Sequence, residues 1–234
     1  MDSPAADDIH VWQAQLDITQ TEVRKLYETL SADERDRASR FYFEKHRRRY
    51  IVGRGVLRTI LGRYLAVQPD RIRFTYNDKG KPSLVEPKVS DFEFNLSHSD
   101  DLALYAFALG VPVGVDVEVI RPLSDMDAIA RRFFSPLEYE MLQRVSAENR
   151  PSAFFNCWTR KEAYIKAQGL GLYIPLDSFA VSLAPSEPAR FIQLPTNSDY
   201  AEAWSLHHLS LTLGAVGAVA VPSIDRRIVN CQYS

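Results

Sequence analysis

The sequence predicts an α+β fold built from two similar halves, each a small antiparallel sheet packed with helices. Capping boxes at residues 31–34 and 135–138 each mark a helix start, and about half of the 234-residue chain separates them. Apolar residues at three- and four-residue spacing predict a second helix in each half, over residues 50–65 and 154–168. β-rich segments follow both helices, so the same order of elements occurs twice.

The division between the halves is expected near residues 110–112. Strand-like segments rich in small residues, at 102–109 and 209–221, occupy corresponding places in the two halves. A repeated α+β unit explains this order better than one sheet wound by alternating strands and helices. We therefore expect two domains, at residues 1–111 and 112–234.

Composition indicates a globular protein without a strong overall charge. Hydrophobic residues make up 46% of the chain, and the formal net charge is -2, so the overall field attracts neither nucleic acid nor an anionic membrane. The two cysteines, Cys157 and Cys231, are too few for a disulfide framework, and no apolar run has the length of a membrane helix. We expect a cytoplasmic protein with no nucleic-acid partner and no membrane partner.

Residues 111–120 alternate in the manner of a strand with one buried face. Valine stands at every odd position, so Asp116 and Glu118 share the opposite face. Two carboxylates this close repel each other, and water or a cation such as Mg²⁺ offsets that repulsion. Gly114 lies on the same face and is expected to leave room for a ligand. A half-exposed edge strand with solvated acids explains this strand equally well.

The helix predicted over residues 154–168 brings in a third carboxylate. Glu162 and Lys166 lie one turn apart on one of its faces. In isolation they would be an ordinary surface ion pair, and Lys161 a solvated lysine. Combined with the acidic strand, they supply a further acid for a hard cation and lysines for phosphate charge.

These segments form two short motifs at a characteristic separation. The strand reads Gly-Val-Asp-Val-Glu over residues 114–118, and the helix reads Trp-Thr-Arg-Lys-Glu-Ala-Tyr-Ile-Lys over residues 158–166. Together they resemble the paired signature of the Sfp-type phosphopantetheinyl transferases, with which Gly-Lys-Pro at 80–82 and Phe-Asn-Leu-Ser-His-Ser at 94–99 also agree. The resemblance implies a pseudo-twofold fold and an enzyme that moves the phosphopantetheine arm of coenzyme A (CoA) onto a serine of an apo acyl or peptidyl carrier protein.

The resemblance also implies a role for each matching residue. The ligands of Mg²⁺, or of Mn²⁺ in its place, would be Asp116, Glu118 and Glu162. Lys161 and Lys166 would bind the CoA pyrophosphate, and Lys166 would also act in catalysis. The residues that receive the 3'-phosphate of the nucleotide would be Arg37, Lys81, Ser97 and His98. Glu138 matches a glutamate proposed as the general base of the family.

Two of these residues have ordinary alternative roles, and three positions depart from the family pattern. His98 is also consistent with a hydrogen-bonded core histidine, and Glu138 is also the capping-box glutamate of its helix. Asp100 stands where glycine is usual. Tyr50 and Glu34 stand where some members have threonine and lysine. The departures concern the nucleotide contacts rather than the reaction.

Two other classes of function compete with a transferase. A metal-dependent nuclease usually carries Glu-x-Lys after its first acid, whereas Glu118 is followed by Val119 and Ile120. A non-catalytic CoA-binding module could make every phosphate contact, but it has no need of three converging carboxylates. The resemblance favours a monomer whose partners are CoA and carrier proteins.

Overall fold

The structure of the protein is a computed structural model that describes residues 3–89, 91–169, 174–194, 204–211, 214–222 and 226–234. The first half contains β1 (Asp8–Gln15), α1 (Gln20–Glu28), α2 (Ala32–Ser39), α3 (Glu44–Leu65), β2 (Arg73–Tyr76), β3 (Pro82–Glu86), β4 (Phe92–Ser99) and β5 (Leu102–Leu109). The second half contains β6 (Gly114–Val119), α4 (Met126–Phe133), α5 (Pro136–Arg144), α6 (Arg150–Gln168), β7 (Ala180–Val181), β8 (Phe191–Gln193), β9 (Trp204–Ser210), β10 (Ala215–Pro222) and β11 (Arg227–Gln232).

Two small sheets form the centre of the fold. The first has the strand order β11-β1-β5-β4, and the second has the order β6-β10-β9. Neighbouring strands in them pair antiparallel, except that β11 runs parallel to β1. The pairs β2-β3 and β7-β8 form separate two-stranded ribbons. The predicted α+β class, with small antiparallel sheets and packed helices, is confirmed.

The last strand departs from the expected division of the chain. β11 lies in the predicted second half, yet it pairs with β1 of the first half, from Asp8 opposite Arg227 to Gln13 opposite Gln232. The Arg227 guanidinium also donates two hydrogen bonds, each 2.9 Å long, to the Asp8 carboxylate. The chain therefore returns to its first sheet, a long-range pairing that the alternation of residues within β11 does not encode.

In each half a short helix with a capping box precedes a long helix. α2 follows Ser31 and α5 follows Ser135, as the sequence predicts. The long helix α3 begins at Glu44, earlier than predicted, because residues 44–49 favour a helix but lack apolar periodicity. Within the described ranges, no helix is both long enough and apolar enough for a membrane span.

The alternation predicted for β6 is confirmed. Val115 and Val117 are buried in a cluster with residues of β5 and β10. Asp116 points to the opposite side, but it is only 4% exposed and is therefore not a solvated edge acid. Glu118 is partly buried on the same side. The two acids thus face a protein environment rather than open solvent.

Gly114 makes room for α6 and not, as the sequence suggested, for a ligand. A Cβ atom at this position would meet the backbone carbonyl oxygen of Ala163 and the backbone nitrogen of Ala167. Because glycine has no side chain, the backbone of α6 lies directly on β6. This contact brings the helix that carries Glu162 and Lys166 against the acidic strand.

Replacing Gly114 with alanine should destabilise the protein by about 1–3 kcal/mol or more, because overpacking pushes α6 away from β6. Gly53→Ala in α3 is the matched control, since the nearest atom to its Cβ would be Tyr105 Oη at 3.9 Å. The control should be neutral or stabilising, because alanine has the higher helix propensity. Chemical denaturation measures both effects, and a Gly114→Ala variant as stable as wild type would contradict the packing role.

Candidate functional site

Side chains from β4, β6 and α6 surround a cavity of about 350 Å³ at the junction of the two halves. Its polar lining consists of Ser97, His98, Asp116, Glu118, Glu162 and Lys166. Leu96 and Trp158 form its apolar walls. Trp158, Glu162 and Lys166 occupy every fourth position of α6 and therefore share one face of the helix. The structure thus brings the three predicted metal-binding acids to one cavity.

Asp116 is the most buried of these acids and connects the two halves of the site. Its Oδ1 accepts hydrogen bonds from Ser97 Oγ at 2.8 Å and from Lys166 Nζ at 2.6 Å. Lys166 Nζ also donates to Ser97 Oγ at 2.8 Å. The other carboxylate oxygen, Oδ2, is buried and finds no hydrogen-bond partner among the described residues. An unsatisfied buried carboxylate oxygen is a natural ligand for a cation.

Glu118 is held from the neighbouring strand β4. Ser99 Oγ donates a hydrogen bond to Glu118 Oε2 at 2.7 Å, and the Arg121 guanidinium lies 3.5 Å from the same oxygen. Burial raises the pKa of Glu118, the hydrogen bond from Ser99 opposes that change, and the charge of Asp116 raises the pKa further. The pKa is raised overall, so Ser99 and Arg121 compensate the charge of Glu118 only in part.

The electrostatic surroundings of Glu162 resemble those of Glu118. Burial raises its pKa, the charge of Asp116 raises it further, and the charge of Lys166 opposes both. Lys166 donates to Asp116 and Ser97. It is therefore not an exposed partner of Glu162 alone, as a simple surface pair would require. Positive charge in the cavity would lower the free energy of both ionised glutamates.

These residues fit a hard divalent cation. Three carboxylates supply the oxygen ligands that Mg²⁺ and Mn²⁺ take in proteins, and Asp116 Oδ2 lacks a partner in the described part of the chain. Across the described ranges, no three His, Cys, Asp or Glu side chains are gathered as a preformed metal cluster. Lys166 stands beside the other oxygen of Asp116. The site is therefore an open acidic cleft, not a closed metal cage.

A second cavity, of about 540 Å³, shares Ser97, His98 and Glu118 with the first. It extends between α2, α3 and β4, and Arg37 is part of its lining. His98 is exposed to this space, so the alternative of a buried core histidine is wrong. The ring is exposed only toward the cleft, and its partial burial there lowers the pKa of His98, which the charge of Lys166 lowers further.

Arg37 is the cavity's available guanidinium. The other three arginines of its lining lie beside carboxylates: Arg49 is 2.8 Å from Asp101, Arg54 is 2.6 Å from Glu34, and Arg121 is 3.5 Å from Glu118. Arg37 lies over the ring of Tyr50, with its Cζ 5.4 Å from the ring centroid, and has no carboxylate partner among the described residues. A phosphate that enters this cavity can therefore bind Arg37 without breaking an ion pair.

Lys81 lies apart from Arg37. It lines a third cavity, of about 300 Å³, together with Glu162 and Lys166. Its Nζ donates a hydrogen bond to the carbonyl oxygen of Ala167 at 3.0 Å, near the C-terminal end of α6. Burial lowers the pKa of Lys81. The four residues expected at the 3'-phosphate are therefore divided: Arg37, Ser97 and His98 share the second cavity, and Lys81 does not line it.

Glu138 does not reach these cavities, and its position disagrees with the expected role as general base. Its side chain is fully buried, and Oε2 accepts a hydrogen bond from the backbone nitrogen of Ser135 at 2.7 Å. Oε1 accepts from the backbone nitrogen of Val181 at 2.8 Å, and Lys161 Nζ lies 2.7 Å from Oε2. The alternative from the sequence, a capping-box glutamate, describes this position.

Lys161 likewise lies in the core, where it cannot bind a pyrophosphate in the cavities. It is 1% exposed and donates to the carbonyl oxygens of Leu176 and Phe179, each at 2.6 Å. Next to Glu162 in the sequence, it projects about 100° away around the helix. The solvated-lysine alternative is also wrong, because the ammonium group is buried and ion-paired with Glu138.

Two polar residues of β4 escaped the sequence reasoning. Asn95 and Ser99 both bond to β6, Asn95 through Val115 N and Ser99 through Glu118 and Val119 N. The available signal was the alternation of polar residues at positions 95, 97 and 99, which places all three on one face of the strand. That signal gives the face but not the strand that it contacts.

Comparison with protein families matches the chain in two consecutive parts. Residues 12–109 match a family described as 4'-phosphopantetheinyl transferase, N-terminal. Residues 112–220 match the 4'-phosphopantetheinyl transferase superfamily.

Individual relatives cover much of the chain. The 4'-phosphopantetheinyl transferase HetI of Nostoc sp. (strain PCC 7120 / SAG 25.82 / UTEX 2576) is 44% identical over 217 residues, which are 92% of this chain and 88% of HetI. The 4'-phosphopantetheinyl transferase Sfp of Bacillus subtilis (strain 168) is 34% identical over 166 residues, 71% of this chain and 72% of Sfp. A solved Chronobacterium ammoniagenes ACPS-CoA complex is 18% identical, with a TM-score of 0.38, over 50% of this chain and 98% of its own.

The buried pair of Glu138 and Lys161 should contribute to stability as a unit. Lys161→Met leaves an unpaired buried carboxylate and should cost about 3–5 kcal/mol of unfolding free energy, whereas Lys161→Met with Glu138→Gln should recover part of that loss. Lys25→Met, at an exposed lysine of α1, is the control and should change stability by less than about 0.5 kcal/mol. Urea denaturation measures these variants together with Glu138→Gln alone, and additive effects of the two core substitutions would contradict the pairing.

Proposed function

The chain belongs to the 4'-phosphopantetheinyl transferase superfamily, and we propose that it transfers the 4'-phosphopantetheine group of CoA to a serine hydroxyl of an apo acyl or peptidyl carrier protein, releasing adenosine 3',5'-bisphosphate. The similarity to HetI over 92% of the chain supports the family's reaction. The observation that carries the proposal is one cavity that combines three carboxylates with Lys166. Such a cavity can hold both a divalent cation and a diphosphate.

Asp116, Glu118 and Glu162 would hold Mg²⁺, for which Mn²⁺ can substitute. An ion bound there would neutralise the negative charge of the CoA pyrophosphate, including the charge that develops on the leaving nucleotide. Asp116 Oδ2, which has no partner in the described structure, supports this assignment. The open form of the cleft suits Mg²⁺, because this ion usually keeps several water or phosphate ligands and takes few from the protein.

Lys166 would bind the pyrophosphate and stabilise the transferred phosphoryl group. Its ammonium group donates to Asp116 and to Ser97, which fixes its direction and leaves a third N–H for a ligand. Donors fixed before substrate binding lower the barrier because they need little reorganisation during the reaction. A cavity carboxylate, or a water bound among the acids, would accept the proton of the carrier serine. Glu138 takes no part in this proposal, since Lys161 and two backbone N–H groups already bind its carboxylate.

The nucleotide of CoA would occupy the second cavity, with its 3'-phosphate at Arg37 and His98. Both residues line this space, and Arg37 can bind an anion without losing an ion pair within the described residues. Ser97 lies between the two cavities and would position the nucleotide relative to Lys166. Lys81 would contact CoA from the third cavity, which Glu162 and Lys166 also line.

Incubation with CoA, Mg²⁺ and apo carrier proteins from fatty acid, polyketide and nonribosomal peptide pathways tests the proposal. We expect intact-mass spectrometry to show one added phosphopantetheine on a carrier, and Asp116→Asn to slow transfer by about 10²-fold or more. Asp70→Asn, at an exposed acid that lines none of the three cavities, is the matched control and should transfer at the wild-type rate. CoA binding without transfer to any carrier would indicate a binding module instead.

Arg37→Ala should raise the KM for CoA by about 10- to 100-fold, because one charge-assisted contact to the 3'-phosphate is lost. The KM for 3'-dephospho-CoA should hardly change, since that substrate lacks the phosphate. Arg35→Ala is the matched control, because Arg35 lies on the same helix over the ring of Tyr27. Steady-state kinetics with both substrates measures the difference; an equal loss for CoA and dephospho-CoA would place the 3'-phosphate elsewhere.

A further inference from the structure

The two halves meet along a seam formed by the edge strands β4 and β6. The described strand pairing places β4 and β6 in different sheets. Side chains of β4 bind backbone N–H groups of β6, in place of the backbone-to-backbone hydrogen bonds of a sheet. Asn95 Oδ1 accepts a hydrogen bond from Val115 N at 3.0 Å, and Ser99 Oγ accepts one from Val119 N at 3.1 Å. Moving four residues along β4, from Asn95 to Ser99, also moves the partner four residues forward along β6, from Val115 to Val119, so the two strands run in the same direction.

Ser99 differs from Asn95 in that it also binds an acid of the site. Its hydroxyl has a single proton, and its oxygen already accepts from Val119 N. That proton is donated to Glu118 Oε2, 2.7 Å away. Ser99 is 8% exposed, so its hydroxyl is largely shielded from water. The hydroxyl therefore has a fixed direction and holds one carboxylate oxygen of Glu118 in place.

The other restraint on Glu118 is weaker. Arg121 Nη1 lies 3.5 Å from Oε2, and the Arg121 side chain is 51% exposed, so solvent screens this ion pair. A glutamate has several rotatable bonds, and ordering it for a ligand costs conformational entropy. The hydrogen bond from Ser99 removes much of that freedom before any ligand binds.

We propose that Ser99 is a positioning residue that orients the Glu118 carboxylate toward the divalent cation. This inference rests on the proposed function, since it takes Glu118 as a ligand of the ion. Ser99 would not contact the ion: its oxygen is engaged by Val119 N and its proton by Glu118. Hydrogen bonds of this kind, which orient a ligating carboxylate, are typically worth about 10- to 100-fold in metal affinity.

Asn95 provides a matched control for the structural part of this role. It is 5% exposed, lies on the same face of β4, and accepts a similar hydrogen bond from a backbone N–H of β6. Asn95 lines the third cavity, but it has no described hydrogen bond to a carboxylate of the site. Asn95→Ala therefore removes one hydrogen bond between β4 and β6, as Ser99→Ala does, but leaves the hydrogen bond from Ser99 to Glu118 in place.

Binding of Mn²⁺ in the presence of CoA, measured by electron paramagnetic resonance of the free ion, tests the proposal. We expect Ser99→Ala to weaken Mn²⁺ binding about 10- to 100-fold and Ser99→Thr, which keeps the hydroxyl, to restore it. Asn95→Ala should lower the melting temperature about as much as Ser99→Ala, yet bind Mn²⁺ like the wild type. In transfer assays, Ser99→Ala should require more Mg²⁺ for half-maximal rate, with a smaller change in KM for the carrier.

The outcomes separate this inference from the proposed function. If Asp116→Asn loses Mn²⁺ while Ser99→Ala keeps it, Glu118 needs no positioning, and the inference is overturned while the metal assignment stands. If Asn95→Ala weakens Mn²⁺ as much as Ser99→Ala does, the seam as a whole and not Ser99 is responsible, which also overturns it. If wild-type protein with CoA binds no Mn²⁺, the metal assignment and the inference fall together.

Discussion

The arrangement of the site depends on the direct contact between the backbone of α6 and the strand β6 at Gly114. A side chain at that position would collide with backbone atoms of α6, so only glycine allows the helix to lie this close. The contact sets the height of α6 above the strand. Lys166 then reaches Asp116 Oδ1 at 2.6 Å, and Glu162 reaches the cavity that Asp116 and Glu118 line. An arrangement of three acids and one lysine thus follows from a packing contact that contains none of them.

In both halves, the glutamate of the capping box forms ion pairs with buried basic side chains of the following long helix. In the first half, Glu34 pairs with Arg54 and Arg58 of α3, at 2.6 and 2.5 Å. In the second, Glu138 pairs with Lys161 of α6 at 2.7 Å. Each glutamate is at most 1% exposed. Because an uncompensated buried charge is costly, each pair fixes how its short helix packs against its long one. The repeated capping boxes that predicted two halves therefore mark the same structural device in each.

The sequence predicted local patterns well and long-range contacts poorly. Alternation placed Asp116 and Glu118 on one face of β6, and helical spacing placed Glu162 and Lys166 on one face of α6. The same spacing held the information that Lys161 is buried, since Cys157 and Ile165, one turn before and after it, are apolar. The motif resemblance assigned Lys161 to phosphate and outweighed that pattern. No local pattern specifies that β4 meets β6, because β5 intervenes between them in the chain, or that β11 joins β1, because nearly the whole chain separates them.

The distribution of charge along the cleft favours one binding orientation of the proposed substrate, CoA. Three carboxylates and one ammonium group leave the first cavity with a negative excess, which is consistent with the raised pKa values of Glu118 and Glu162. A bare diphosphate would be repelled there, whereas a diphosphate bound together with a divalent cation matches that excess. Farther along, Arg49, Arg54 and Arg121 already lie beside carboxylates, so Arg37 would supply the positive charge for a further phosphate. CoA would therefore lie with its pyrophosphate at α6 and its 3'-phosphate toward α2.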